Sequence, residues 1–92
     1  MQTPGWRELV TAPRYQCPCC GYRTLPEAPP GTVEICEVCF WEDDTVQFDD
    51  PNFPGGANKV SLRQARENYR EFGVSELRFK RNVRPPRSDE QP

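Results

Sequence analysis

The strongest pattern of apolar and polar residues lies in the C-terminal half of the chain. Apolar residues recur there at the spacing of one helical face, at Leu62, Ala65, Tyr69 and Phe72. Ser61 is a favourable N-cap, Gln64 three residues later completes the sequence pattern of a capping box, and Gly73 suits the left-handed residue that ends many helices. The pattern predicts one amphipathic helix from about Leu62 to Phe72.

The N-terminal half carries only short alternating stretches, which are typical of strands. Val33 and Ile35 alternate with polar neighbours and lead into Cys36, so this stretch is predicted to be a strand. Residues 15–17 and 22–25 are predicted to form a short hairpin. Short strands with a single helix place the chain in the α+β class.

Composition limits how large a core this chain can build. Of its 92 residues 11 are proline, and only 35% are hydrophobic. A domain of this length buries only ~60% of the surface of its unfolded chain, so a metal or a covalent cross-link usually has to stabilise it. No stretch approaches the ~18 apolar residues of a membrane span, and no signal peptide is evident, so we expect a cytoplasmic protein.

The cysteines predict a metal site. Cys17 and Cys20 form one C-x2-C motif, Cys36 and Cys39 form another, and fifteen residues separate the two. This spacing is typical of zinc sites in which four thiolates surround one ion and leave no open position, so we predict one structural Zn²⁺. The fifth cysteine, Cys19, is predicted to be a small buried side chain. The alternative hypotheses are that it is a redox-sensitive thiol or an alternate metal ligand.

Other uses of the cysteines remain open. An odd number of cysteines and the lack of a secretion signal disfavour a disulfide framework. A C-x2-C redox centre and a four-thiolate iron site both fit the same spacing. The chain has no histidine, which excludes histidine-based catalysis and mixed cysteine–histidine zinc sites.

The charge is divided between the two halves of the chain. Residues 25–58 carry eight acidic residues and no basic one, whereas residues 59–87 carry nine basic and three acidic residues. One hypothesis is an acidic face that binds a protein partner through Glu42, Asp43, Asp44, Asp49 and Asp50. The alternative is a nucleic-acid-binding face on the helix, formed by Arg63, Arg66 and Arg70. A third interpretation is that the two charged regions lie together and neutralise each other.

Several stretches of the sequence, taken together, resemble a known protein family. They are residues 15–22, 29–31, 34–44, 55–58, 61–62, 65–69, 72–73 and 83–84. Together these stretches resemble the bacterial CPCC family of cysteine-rich proteins. The resemblance implies a cytosolic zinc-binding module with Cys17, Cys20, Cys36 and Cys39 as ligands. By analogy, small acidic bacterial proteins of this kind are sometimes immunity proteins that neutralise a toxin.

These observations combine into one expectation. We predict a small α+β domain with zinc-ribbon or rubredoxin-like knuckles, short hairpins and one C-terminal amphipathic helix. Residues 1–14 form an N-terminal arm, 15–84 the zinc-binding domain and 85–92 a flexible tail. The predicted function is a non-enzymatic protein-interaction module, with an inhibitor or immunity protein that binds a bacterial toxin as its specific form. No small-molecule substrate or membrane is expected. A nucleic-acid-binding zinc ribbon is the alternative, followed by a thiol redox protein.

Overall fold

The computed structural model describes residues 14–92. The predicted N-terminal arm, residues 1–14, therefore lies outside the described residues except for Arg14. None of the helices in the described part of the chain is long and apolar enough to cross a membrane.

A two-stranded antiparallel hairpin surrounds the first C-x2-C motif, as predicted. Its strands are β1, Tyr15–Gln16, and β2, Arg23–Leu25, with Tyr15 opposite Leu25 and an irregularity between the two residue pairs. The strand predicted at Val33–Ile35 is reduced to a single bridge between Ile35 and Glu42. The reason is local, because Val33 has a φ of 54° and an extended strand requires a negative φ.

The predicted amphipathic helix is confirmed and runs over Leu62–Phe72. The Ser61 hydroxyl accepts a hydrogen bond from the Gln64 N–H at 3.1 Å, and Gly73 closes the helix with a φ of 77°. The second half of the predicted capping box does not form, since the Gln64 side chain donates to Asn68 instead. Leu62 is buried in the core, as is Ala65 one turn further on.

A second helix, which the apolar pattern did not predict, occupies Thr45–Asp49. We call it α1 and the longer helix α2. Asp44 caps α1, because its carboxylate accepts from the Gln47 N–H at 3.0 Å. Gln47 is the buried residue of this helix, so an amide takes the inward position that an apolar side chain usually fills.

The Gln47 side chain anchors the proline- and glycine-rich loop that follows α1. Its Nε2 atom lies 2.9, 3.1 and 2.9 Å from the carbonyl oxygens of Phe53, Asn58 and Val60, so its two N–H groups are shared among three acceptors. Its Oε1 atom accepts from the Asn58 N–H at 3.1 Å and from Asn58 Nδ2 at 2.9 Å. Asn58 in turn bonds both backbone groups of Glu42. A loop with few apolar residues is thereby fixed by hydrogen bonds to one buried amide.

The hydrophobic core is small and contains the cysteines. Its buried members are Cys17, Cys19, Leu25, Cys36, Val38, Cys39, Trp41, Leu62 and Ala65. The hairpin, the second C-x2-C turn and the first half of α2 therefore meet at the sulfur atoms. A core of this size is consistent with a domain that needs a further source of stability.

An ion pair joins the last residues of the chain to Arg84. A 3-10 helix at Leu77–Asn82 follows α2, and a second one at Ser88–Glu90 lies beside β2. Glu90 is buried, and its two carboxylate oxygens accept from the Arg84 guanidinium at 2.9 and 2.7 Å. This pairing lowers the pKa of Glu90 from 4.5 to about 2. The predicted tail, residues 85–92, thus supplies the buried acidic partner of an ion pair with the partly exposed Arg84.

Candidate metal centre

The two C-x2-C motifs form turns with the same hydrogen bonds. In the first turn the Cys17 N–H donates to Tyr22 O at 2.9 Å, and the Gly21 N–H donates to Cys17 O at 2.9 Å. The Cys19 N–H points at the sulfur of Cys17, at 3.4 Å. Gly21 takes a φ of 83°, which allows the chain to leave the turn.

The second turn repeats this pattern residue by residue. The Cys36 N–H donates to Trp41 O at 2.9 Å, and the Phe40 N–H donates to Cys36 O at 2.8 Å. The Val38 N–H lies 3.4 Å from the sulfur of Cys36. Phe40 takes a φ of 70° in the place of glycine, and its ring packs 4.4 Å from that of Phe79. The packing of that ring offsets part of the strain of a left-handed phenylalanine.

This correspondence explains the fifth cysteine. Cys19 occupies in the first turn the position that Val38 occupies in the second, and both side chains are buried. A thiol of this size behaves as a small apolar residue in a core. As predicted, Cys19 is a small buried side chain. Its sulfur is not one of the four that face one another.

The four remaining sulfurs, those of Cys17, Cys20, Cys36 and Cys39, all lie within 4.8 Å of one another. The Sγ atoms of Cys17 and Cys39 are 3.6 Å apart, and those of Cys20 and Cys36 are 3.7 Å apart. Four sulfurs bound tetrahedrally at ~2.3 Å from one ion would be about 3.8 Å apart. A disulfide would instead need ~2.05 Å, and all five cysteines are free. The donor set and its spacing therefore fit a four-thiolate metal site.

Electrostatics within the cluster also favour a cation. Burial raises the pKa of the Cys39 thiol, and hydrogen bonding to Cys17 and Cys36 raises that of Cys20. Hydrogen bonds from Cys17 and Cys20 lower the pKa of Cys36, because they stabilise its thiolate form. Four thiolates at this separation repel one another strongly, and a bound cation is what allows all four to lose their protons.

The cluster is enclosed on most sides. Cys17, Cys36 and Cys39 are buried, and Cys20 is partly exposed. The ring of Tyr22 packs edge-to-face against that of Tyr69 beside the cluster, with centroids 6.2 Å apart. With four protein ligands and this cover, a bound ion would have no open position for a substrate.

Thr24 is a contact of the site that sequence analysis missed. Its hydroxyl lies 3.0 Å from the sulfur of Cys36, and the side chain is buried between β2 and the second turn. A hydroxyl donor stabilises a thiolate ligand and orients it toward the metal. The only sequence signal is a threonine on the strand that leaves the first turn, a residue type that strands favour for other reasons.

We expect Thr24→Val to weaken metal binding about tenfold, because the variant keeps the shape of the side chain and removes the hydrogen bond to Cys36. Thr24→Ser keeps the hydroxyl and is the matched control, with an expected affinity within about twofold of wild type. Competition with a chromophoric chelator measures both affinities. Equal affinities for Thr24→Val and wild type would show that the hydroxyl plays no part in metal binding.

The acidic residues of the predicted partner face do not form one surface. Asp43 is buried, with one carboxylate oxygen accepting from the Thr32 N–H at 2.9 Å, and Asp44 is the cap of α1. Asp49 and Asp50 are exposed, and Glu42 is half-buried. The expectation that Asp43 lies on an exposed face is therefore wrong, because Asp43 follows Glu42, the bridge partner of Ile35, and side chains alternate between core and solvent along such a segment.

The three arginines of α2 do not form one exposed surface either. Arg66 is half-buried, and its Nε donates to the carbonyl oxygen of Pro18 in the first turn at 2.9 Å. Arg63 and Arg70 are exposed, and neither forms an ion pair within residues 14–92. Among those described residues, only Glu37 of the acidic stretch pairs with basic residues, at 3.0 Å from Arg84 and 4.0 Å from Arg87. The two charged regions therefore do not neutralise each other along α2.

A short hairpin and two matching C-x2-C turns around four clustered sulfurs define a small cysteine-rich domain with a candidate metal site. The sequence model of the family described as "Cysteine-rich CPCC" matches residues 15–90. This match spans most of the chain, and the protein therefore belongs to the cysteine-rich CPCC family. A search of curated proteins found no significant match.

Proposed function

We propose that the four cysteines hold one structural Zn²⁺. The observation that carries this proposal is the separation of the sulfurs, 3.6 and 3.7 Å for the two closest pairs, which fits tetrahedral coordination inside a mostly buried cluster. Zinc suits such a closed thiolate site because it has neither redox chemistry nor a preference for an open position. Iron would use the same ligands, and metal analysis of the purified protein distinguishes the two.

Removal of the metal is expected to unfold the domain. A structural zinc ion contributes ~10–16 kcal/mol in small zinc peptides, as much as the whole net stability of a typical domain. Excess chelator should therefore abolish the helical circular dichroism signal of α2, and added Zn²⁺ should restore it. A helical signal that persists after metal analysis finds no bound ion would contradict a structural role for the metal.

The domain itself is proposed to act as a non-enzymatic protein-interaction module. Support comes from the enclosed cluster, where a bound ion would have four protein ligands and therefore no site for catalysis. Further support comes from the exposed carboxylates of the acidic stretch, which carry negative charge that the arginines of residues 14–92 leave largely unpaired. An inhibitor or immunity protein, with a toxin as partner, is one specific form of this proposal.

Capture from cell lysate tests the interaction module. Tagged protein is expected to retain a stoichiometric protein partner whether or not the lysate is treated with nuclease. An Arg63→Glu/Arg70→Glu variant is the control, since reversing two exposed charges on α2 should leave a partner of the acidic stretch bound. Nuclease-sensitive capture that is lost in this variant would instead support the nucleic-acid-binding alternative.

A further inference from the structure

Helix α1 has an inverted distribution of apolar and polar side chains. Gln47 is 0% exposed, whereas Val46 is 53% exposed and Phe48 is 38% exposed. A surface helix of a globular protein normally buries its apolar residues and exposes its amides. Burial in the core therefore does not explain why α1 carries apolar residues at Val46 and Phe48.

Exposed apolar residues are concentrated around this helix. Seven large apolar side chains are exposed within residues 14–92, and five of them lie between positions 33 and 53. Three of the five, Val33, Ile35 and Val46, lie on the two segments that adjoin at the start of α1, and we call these three the apolar patch. Clustered exposure of this kind marks interaction surfaces, whereas single exposed apolar residues need no explanation.

The elements that carry the apolar patch adjoin one another. The Thr32 N–H donates to the Asp43 carboxylate at 2.9 Å, and a Cβ atom on Gly31 would lie 2.7 Å from the Thr45 hydroxyl. These contacts bring the segment before Ile35 against the start of α1.

Among residues 14–92, nothing pairs with the outer side of the segment around Ile35, which we call the free edge. Its inner side pairs with the following segment through the Cys36 N–H to Trp41 O and the Asp43 N–H to Glu34 O, both at 2.9 Å. Between these bonds Ile35 lies opposite Glu42, so its own N–H and C=O point away from that partner. Neither group has a hydrogen-bond partner among the described residues. Such an edge can pair with an added strand.

The charge around the patch restricts the partner. Residues 26–58 contain no lysine or arginine, and the exposed residues beside the patch include Glu34, Asp49 and Asp50. None of these three forms an ion pair within residues 14–92. An extended segment with apolar residues on one side and Lys or Arg between them would complement both the apolar residues and the carboxylates.

We propose that the free edge at Ile35 and the apolar patch bind an extended segment of a partner protein in which apolar and basic residues alternate. This inference rests on the proposed interaction function and names the surface and the chemistry of its partner. Backbone hydrogen bonds to Ile35 supply the strand pairing, the patch receives the apolar side chains, and the carboxylates select for basic residues.

Binding of a synthetic peptide of alternating leucine and lysine tests the surface on the full-length, metal-loaded protein. We expect calorimetry to detect binding of this peptide and not of a leucine–glutamate peptide of the same length. Val33→Ser/Val46→Ser should weaken binding about tenfold, since it removes two apolar anchors and leaves the charge unchanged. Leu77→Ser is the matched control, because Leu77 is exposed and lies outside the patch.

Several outcomes would overturn the proposal. Equal binding by Val33→Ser/Val46→Ser and wild type, or equal binding of both peptides, would show that the patch does not recognise a basic segment. Dimerisation that this double variant abolishes would make a second copy of the chain the occupant. A captured partner that the double variant retains would leave the interaction function intact and refute only this surface.

Discussion

Cys36→Ser is expected to leave the chain without metal and largely unfolded. Cys36 is fully buried, and its sulfur accepts hydrogen bonds from Thr24 and the Val38 N–H in addition to its place in the cluster. A serine hydroxyl does not replace a thiolate ligand, and three ligands would bind the ion far more weakly than four. Far-ultraviolet circular dichroism and metal analysis of the purified variant measure the two effects.

The chain contains its own control for this experiment. Cys19 is also a buried cysteine, two residues from a ligand, yet it occupies the position that valine fills in the second turn. Cys19→Val is therefore expected to fold and to bind one metal ion per chain as wild type does. A folded, metal-loaded Cys36→Ser, or a Cys19→Val that loses its metal, would contradict the assignment of the four ligands.

Gln47→Leu is expected to destabilise the domain by about 3–5 kcal/mol. The substitution removes the donor to three backbone carbonyls and the acceptor of two bonds from Asn58, and it leaves these buried groups without partners. Leucine has a similar size, so the effect reports lost hydrogen bonds rather than a cavity. Urea denaturation of the metal-loaded protein, followed by the tryptophan fluorescence, gives the free energy of unfolding.

Gln64→Leu is the matched control for Gln47→Leu. Gln64 is exposed on α2, and its side chain makes one hydrogen bond, to Asn68. Its replacement should change the free energy of unfolding by no more than about 0.5 kcal/mol. Similar losses for the two variants would show that Gln47 is not the anchor of the loop.

The sequence predicted the elements whose causes are local. Helix α2 has a cap, an apolar stripe and a terminal glycine in the chain itself: Ser61 caps the helix, Gly73 ends it, and Leu62 and Ala65 of the stripe are buried. Helix α1 has no such stripe, because its inward residue is Gln47. A buried amide becomes favourable only when distant carbonyls, such as that of Val60, surround it, and no pattern of neighbouring residues records this.

In the candidate site, too, the sequence predicted the features with local causes and missed those that depend on distant residues. The spacing of the C-x2-C motifs predicted all four clustered cysteines, since each turn is a local structure that places two sulfurs together. Thr24 was missed because its contact with Cys36 depends on how the hairpin packs against the second turn. Charge alone also grouped Asp43 with surface residues, although the bridge at Ile35 directs its side chain inward.

X-ray absorption at the metal edge, on protein purified without added metal, tests the central claim most directly. We expect one zinc ion per chain with four sulfur neighbours at ~2.3 Å and no lighter ligand. An iron absorption edge in place of the zinc edge would change the identity of the metal and leave the assignment of the four cysteine ligands intact. Fewer than four sulfur neighbours, an additional oxygen or nitrogen ligand, or a folded protein without metal would contradict a closed structural site formed by the four cysteines.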